Sequence, residues 1–174
     1  MSLTQHPTRA ARVGTPPIGE ASQRILVADD DPVIRHLVTS IVQKEGYAVV
    51  VANDGREAYR ILQADAGFSA AIFDMMMPHL EGIEIIRYMR TEKRLMRIPI
   101  IMISSDRNPQ LMPDSFAAGA TVFLSKPFTT EQLRTTLCML LSNSKGTNER
   151  LHKVMTDPDH MLIKCKTKLR TDNA

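Results

Sequence analysis

The sequence predicts an α/β fold, a doubly wound parallel sheet of five strands with helices on both faces. Two observations carry this expectation. From residue 24 onward, short apolar runs alternate strictly with stretches of helical periodicity. One of the runs, Ile98 to Ile103, is almost wholly apolar, as a strand covered on both faces must be. Strands that alternate with helices are joined by crossovers, and crossovers make the pairing parallel.

Each element has its own signal. Ile25-Leu26-Val27-Ala28 is a short buried strand, and Pro32 suits the first turn of the helix that follows. Ile34, Leu37, Val38, Ile41 and Val42 mark that helix's apolar face as far as Gly46. Tyr47 to Val51 is a β-branched strand; Asn53-Asp54-Gly55 is a turn in which Asp54 caps a helix running through Leu62. Ala70 to Phe73 is the third strand, and a helix is expected from Leu80 to about Met89. After the fourth strand, Leu111 to Ala118 gives a weaker helix stopped by Gly119. Thr121 to Leu124 is the fifth strand, and Thr129-Thr130-Glu131-Gln132 is a capping box opening a helix to Leu141.

The 174 residues suit one domain with tails. Residues 1–22, rich in Thr, Pro, Gly and Arg, read as a disordered leader. Residues 23–142 form the α/β domain, and 143–174 read as a linker and a basic tail or one extra helix, with no recognisable output domain. The net charge of +3 comes from the ends, since Lys and Arg outnumber Asp and Glu after Ser142 while the middle is balanced. No tryptophan and few aromatics argue against a stacking surface for nucleic acid. No apolar run approaches the roughly 18 residues that span a bilayer, and the start lacks a secretory h-region. Cys138 and Cys165 have neither disulfide-framework nor metal spacing, which fits a reducing, cytoplasmic setting with Cys138 a small core residue.

In open parallel sheets the functional groups gather at the carboxyl ends of the strands. Here strand one ends in Asp29 and Asp30, strand three in Asp74, strand four in Ser104 and Ser105, and strand five in Lys126. Carboxylates sharing a cleft repel one another unless a cation is present. Mg²⁺, or Mn²⁺ in its place, suits such a hard oxygen set. Asp74 would then be a carboxylate nucleophile toward phosphorus, with Lys126 and Ser104 neutralising and hydrogen-bonding phosphoryl oxygens.

The bland readings compete. Asp29-Asp30-Asp31-Pro32 taken alone is equally a capping turn, and Asp31 is read as a cap or a solvated acid. Met75-Met76-Met77 is packing rather than a soft-metal site. His36 points outward, His79 is a bystander in the site loop, and Arg35 is a surface residue near the site.

With acidic pair Asp29-Asp30, Asp74 with Pro78, Ser104 after Ile100-Ile101-Met102-Ile103, and Lys126-Pro127-Phe128 in this order, residues 24 to about 141 resemble a bacterial response-regulator receiver domain of the chemotaxis-regulator-like kind. The resemblance implies a flavodoxin-like sheet of order 2-1-3-4-5. It also implies phosphoryl transfer to Asp74 from a sensor histidine kinase or a histidine phosphotransfer protein. It assigns Asp29, Asp30, Asp74 and the backbone carbonyl of Met76 to the metal, and makes Ser104 and Phe123 the switch pair. Phe123 stands where the family more often has Tyr, so the phenolic hydrogen bond is lost.

The function implied is a phosphorelay switch that acts through contacts with a downstream protein and, where phosphorylation drives it, through a homodimer. It is not an enzyme beyond its own phosphorylation and dephosphorylation. A haloacid-dehalogenase-type phosphatase would need an acid two residues after the nucleophile, and that position is Met76. The alternatives are a DNA-associated transcriptional regulator using the basic tail and a phosphorylation-independent pseudo-receiver. Residues 150–170 lack a helix-turn-helix pattern, so nucleic acid is not an expected partner.

Overall fold

In the computed structural model, residues 23–142 are described; the leader and the basic tail read from the sequence lie outside the described residues. The order of elements is β1 Arg24–Ala28, α1 Pro32–Lys44, β2 Ala48–Ala52, α2 Gly55–Ala64, β3 Ala70–Asp74, α3 Gly82–Thr91, β4 Ile100–Ser104, α4 Leu111–Ala118, β5 Val122–Ser125 and α5 Thr130–Ser142. All pairings are parallel, in the order β2-β1-β3-β4-β5. The flavodoxin-like sheet expected from the sequence is therefore present.

Two-residue alternation sorts the strands' side chains onto the two faces. Leu26 and Ala28, Ala71 and Phe73, and Ile100 and Met102 face a core completed by Leu62 of α2 and by Ile85, Ile86 and Met89 of α3. Ile25 and Val27, Ala70 and Ile72, and Ile101 and Ile103 face the opposite core with Val38, Ile41 and Val42 of α1 and Leu133, Leu137, Leu140 and Leu141 of α5. Most of these side chains are fully out of water, each worth about 1.5–3 kcal/mol of transfer free energy. β3 and β4 are buried along their whole length and β1 from Ile25 onward, which is why they read as unbroken apolar runs.

The helix starts follow the capping chemistry. Asp31 Oδ1 accepts from Val33 N at 2.8 Å and Asp54 Oδ1 from Glu57 N at 2.7 Å. At α5, Thr129 Oγ1 accepts from Gln132 N at 3.1 Å while Gln132 Oε1 accepts from Thr129 N at 2.7 Å, a reciprocal box. Asp31 is thus a cap, as one of its two readings had it.

Several boundaries shift, each for a local reason. Helix α3 begins at Gly82 rather than Leu80, because residues 78–80 are taken up in a tight turn and Glu81 with Glu84 forms the helix's own capping box. Strand β4 begins at Ile100 rather than Ile98, since Pro99 has no N–H for the ladder and Ile98 N closes a turn onto Leu95 O. Leu37, assigned to the apolar face of α1, is 39% exposed. Cys138 is half-buried rather than in the core.

Candidate functional site

The carboxyl ends of β1, β3, β4 and β5 converge on one edge of the sheet, with α1 and α3 starting beside them. Asp29, one residue past β1, is buried; both its oxygens are occupied, Oδ1 by Asp31 N at 2.9 Å and Oδ2 by Lys126 Nζ at 2.9 Å. Its backbone carbonyl accepts from the Arg35 guanidinium at 2.6 Å. Arg35 is therefore partly committed to holding the β1–α1 turn, which the sequence did not reveal. Asp30 is exposed, as is Asp31.

Asp74 closes β3 and is 7% exposed. Its Oδ1 accepts from Met75 N at 3.0 Å and lies 3.1 Å from Lys126 Nζ. No protein donor among the described residues reaches Oδ2, which stays available. Burial pushes the Asp74 carboxyl up to about 6; Lys126 opposes the rise, while Asp29 and Asp30 add to it. Burial would depress Lys126, but the hydrogen bond to Asp29 and the charges of Asp74 and Asp29 outweigh it, and the ammonium ends above its ordinary value. The peptide bond between Lys126 and Pro127 is cis.

The buried Ser104 ends β4 next to Ser125 of β5. Its hydroxyl oxygen accepts from Asp106 N at 3.1 Å and its carbonyl from Lys126 N at 2.7 Å, so it ties the β4–α4 loop to the lysine's backbone. Phe123, paired in register with Met102, is half-buried against the core that α2, α3 and α4 share. Met76, two residues past Asp74, is 51% exposed, and among the described residues its carbonyl accepts no backbone hydrogen bond. His36 is exposed.

One site feature escaped sequence reasoning. A Cβ placed on Gly82 would lie 2.2 Å from the carbonyl oxygen of Asp74, so only glycine lets α3 start this close behind the carboxylate. The hint available was the glycine after Glu81, and nothing in one sequence tells it from a loop glycine.

Carboxylate oxygens of Asp29, Asp30 and Asp74 all come within 4.8 Å of one another. Hard oxygen donors at that spacing, with the Asp74 carboxyl raised by burial and further by Asp29 and Asp30, fit a divalent cation of the Mg²⁺ type. They do not fit soft-metal chemistry, for Met75 and Met77 are buried in the core beside them.

A five-stranded sheet of order 2-1-3-4-5, with acids, a hydroxyl and a lysine along one edge, defines a CheY-like receiver fold. The chain belongs to the response regulator receiver domain family, whose model matches residues 25–138. It is 32% identical over 127 residues to the chemotaxis protein CheY1 of Helicobacter pylori, covering 72% of this chain and 99% of that protein. It is 31% identical over 139 residues to the alkaline phosphatase synthesis transcriptional regulatory protein SphR of Synechococcus elongatus, covering 75% of this chain but only 53% of SphR. Among solved structures, it is similar to the receiver domain of the sensor histidine kinase PA1611 of Pseudomonas aeruginosa, with 27% identity and a TM-score of 0.65 over 71% of this chain and all of that one. In that structure a magnesium ion is coordinated in the active-site cleft. Two-component signalling is thus the setting of this domain. No described helix is long and apolar enough to cross a membrane.

Proposed function

We propose that this receiver takes a phosphoryl group from a phosphohistidine onto Asp74. The observation that carries the reading is the Lys126 ammonium bridging Asp29 and Asp74, at the edge where Ser104 also ends its strand. A carboxylate oxygen of Asp74 attacks phosphorus; the new P–O bond forms as the P–N bond to the donor imidazole breaks, and the imidazole leaves with the electron pair. Met75 N and Lys126 already fix Oδ1, so the free Oδ2 is the attacking atom. Lys126 then neutralises one phosphoryl oxygen and the Ser104 hydroxyl donates to another.

Asp29, Asp30, Asp74 and the Met76 carbonyl would hold Mg²⁺ or Mn²⁺. A divalent cation bound there supplies charge neutralisation and Lewis-acid polarisation of the phosphoryl oxygens.

The output is a change in protein contacts. Phosphorylation draws the Ser104 hydroxyl from Asp106 N, loosening the β4–α4 loop, and Phe123 repacks behind it. Met112 and Phe116, 46% and 44% exposed on α4, supply apolar area for a downstream protein or for a second copy of the chain. The domain works in the cytoplasm and turns over no substrate but its own phosphoryl group.

Intact-protein mass after incubation with acetyl phosphate and Mg²⁺ tests the reading. A gain of about 80 Da in the wild type and none in Asp74→Asn is expected for an acyl phosphate. An equal gain in both would move the phosphoacceptor elsewhere.

A further inference from the structure

Between β3 and α3 the chain makes a three-residue turn, in which Leu80 N donates to Pro78 O at 2.8 Å around His79. His79 has a φ of 70°, the only positive value outside glycine among the described residues. A turn of this hand is rare and strained, and it persists only where its surroundings over-determine it. Here the surrounding is α2: a Cβ on Gly55 would stand 1.8 Å from the Leu80 carbonyl oxygen, so the glycine admits the turn against the helix start.

This packing leaves a cleft of about 420 Å³ between the beginnings of α2 and α3, lined by Arg56, Tyr59, His79, Leu80, Glu84 and Tyr88. Its apolar part is the Tyr59–Tyr88 pair, ring centroids 4.5 Å apart and tilted 57°, with the half-buried Leu80 alongside. Its rim carries the cation Arg56 and the anion Glu84, and the Glu92 carboxylate acts on Tyr88. Glu84 is committed to its own helix, accepting from Glu81 N at 2.9 Å. Arg56 has no carboxylate within ion-pair distance among the described residues, and neither have Arg60 of α2, Arg87 of α3 or Arg94 just past the end of α3. All four are exposed. Arg94 spans the face, its guanidinium donating to Gln63 O near the far end of α2 at 3.2 Å. Arginines thus continue for about 6 Å along α2 beyond Tyr59, at 1.5 Å per residue.

We propose that this cleft docks an acidic peptide segment of a partner protein, an apolar side chain seated on Tyr59, Tyr88 and Leu80 and its carboxylates paired with Arg56 and the arginines beyond. An aromatic floor with unpaired arginines around it is the composition that carries binding energy in protein interfaces, and guanidinium groups engage carboxylates in two-point contacts. The surface lies on α2 and α3, away from Met112 and Phe116 of α4, and does not depend on the role of Asp74.

The test is fluorescence anisotropy with a short labelled peptide of glutamates around one central phenylalanine, set against the same peptide built on lysine and an oligothymidine strand. The glutamate peptide is expected to bind best, and Arg56→Glu to weaken it about tenfold, the loss of an interface anchor. Arg56 is exposed, so a wild-type melting temperature and an unchanged acetyl-phosphate reaction are expected of that variant. Amide shifts on titration should centre on Tyr59, His79, Leu80 and Tyr88. Three results overturn the proposal: no preference for glutamate over lysine, shifts centred on α4, or oligothymidine binding as tightly as the peptide, which would make this a nucleic-acid surface.

Discussion

Lys126 Nζ stands 3.1 Å from Asp74 Oδ1, with each side chain largely out of water. The same ammonium is 2.9 Å from Asp29 Oδ2, so one cation holds two carboxylates at the sheet edge. Removing one partner of a buried ion pair leaves its counter-charge stranded, at a cost of about 3–5 kcal/mol in a closed interior. This cleft is more open, and Asp74 can relieve the strain by taking up a proton. Lys126→Met is therefore expected to lose about 2 kcal/mol at pH 8, less at pH 5, and to regain most of it when millimolar Mg²⁺ is added. Urea unfolding at both pH values, with and without the metal, measures it; a loss that Mg²⁺ leaves untouched would mean the lysine and the metal do not share these acids.

Asp74 gives a pH dependence of definite sign. Its folded-state carboxyl sits at about 6, above the ordinary 3.8, because burial disfavours the charged form. The neutral form therefore stabilises the fold; that contribution is complete below 3.8 and is lost as the pH rises through about 6. Asp74→Asn carries the neutral side chain at every pH. It should be more stable than the wild type at pH 7.5 by about 1–2 kcal/mol, after discounting for solvent screening in an open cleft, and nearly equal to it at pH 3.5. Chemical denaturation at the two pH values decides; equal stability at pH 7.5 would show that Lys126 fully offsets the burial.

Gly82 gives a steric test of how closely α3 must approach the carboxylate. Its Cβ would stand 2.2 Å from the Asp74 carbonyl oxygen, which is backbone and has nowhere to go. Gly82→Ala should cost about 3 kcal/mol or more and slow phosphorylation, since the helix start has to back away from Asp74. Gly46 is the control: at φ 86° with open space around it, alanine there should cost only about 1 kcal/mol. Thermal melts of the two variants, compared at one pH, separate crowding from backbone preference.

The sheet was legible because its signal is local and repeated. Ile100 to Ile103 could only be a strand covered on both sides, and Asp54 and Thr129 announced their helices by side-chain type alone. The residues gathered at the sheet edge were legible for a topological reason, since parallel strands place their ends together whatever the loops do. What stayed hidden depends on contacts between residues distant in sequence. Arg90 is an instance: its guanidinium gathers the carbonyls of Met96, Ile98 and Gly119, joining α3 to the end of α4, and no pattern around position 90 announces it. The late start of α3 is another, because the turn at His79 is set by contact with Gly55 and not by the sequence of the loop.

Met76 bears on the lifetime of the phosphorylated state. Its side chain is 51% exposed two residues beyond Asp74, while Met75 and Met77 on either side are buried in the core. If Asp74 carries the phosphoryl group, hydrolysis requires a water molecule in line behind phosphorus, and an apolar thioether at the cleft mouth offers that water nothing to bond with. Asparagine is shorter and brings both a donor and an acceptor. Met76→Asn should therefore shorten the aspartyl-phosphate half-life by about threefold, well below the roughly hundredfold or more of a positioned general base, since an amide orients water without taking its proton. Phosphorylation by acetyl phosphate should be little changed, because the backbone carbonyl offered to the metal is the same in both proteins. The decay of the phosphorylated mass after removal of acetyl phosphate measures the effect, and an unchanged half-life would place the Met76 side chain outside the path of the attacking water.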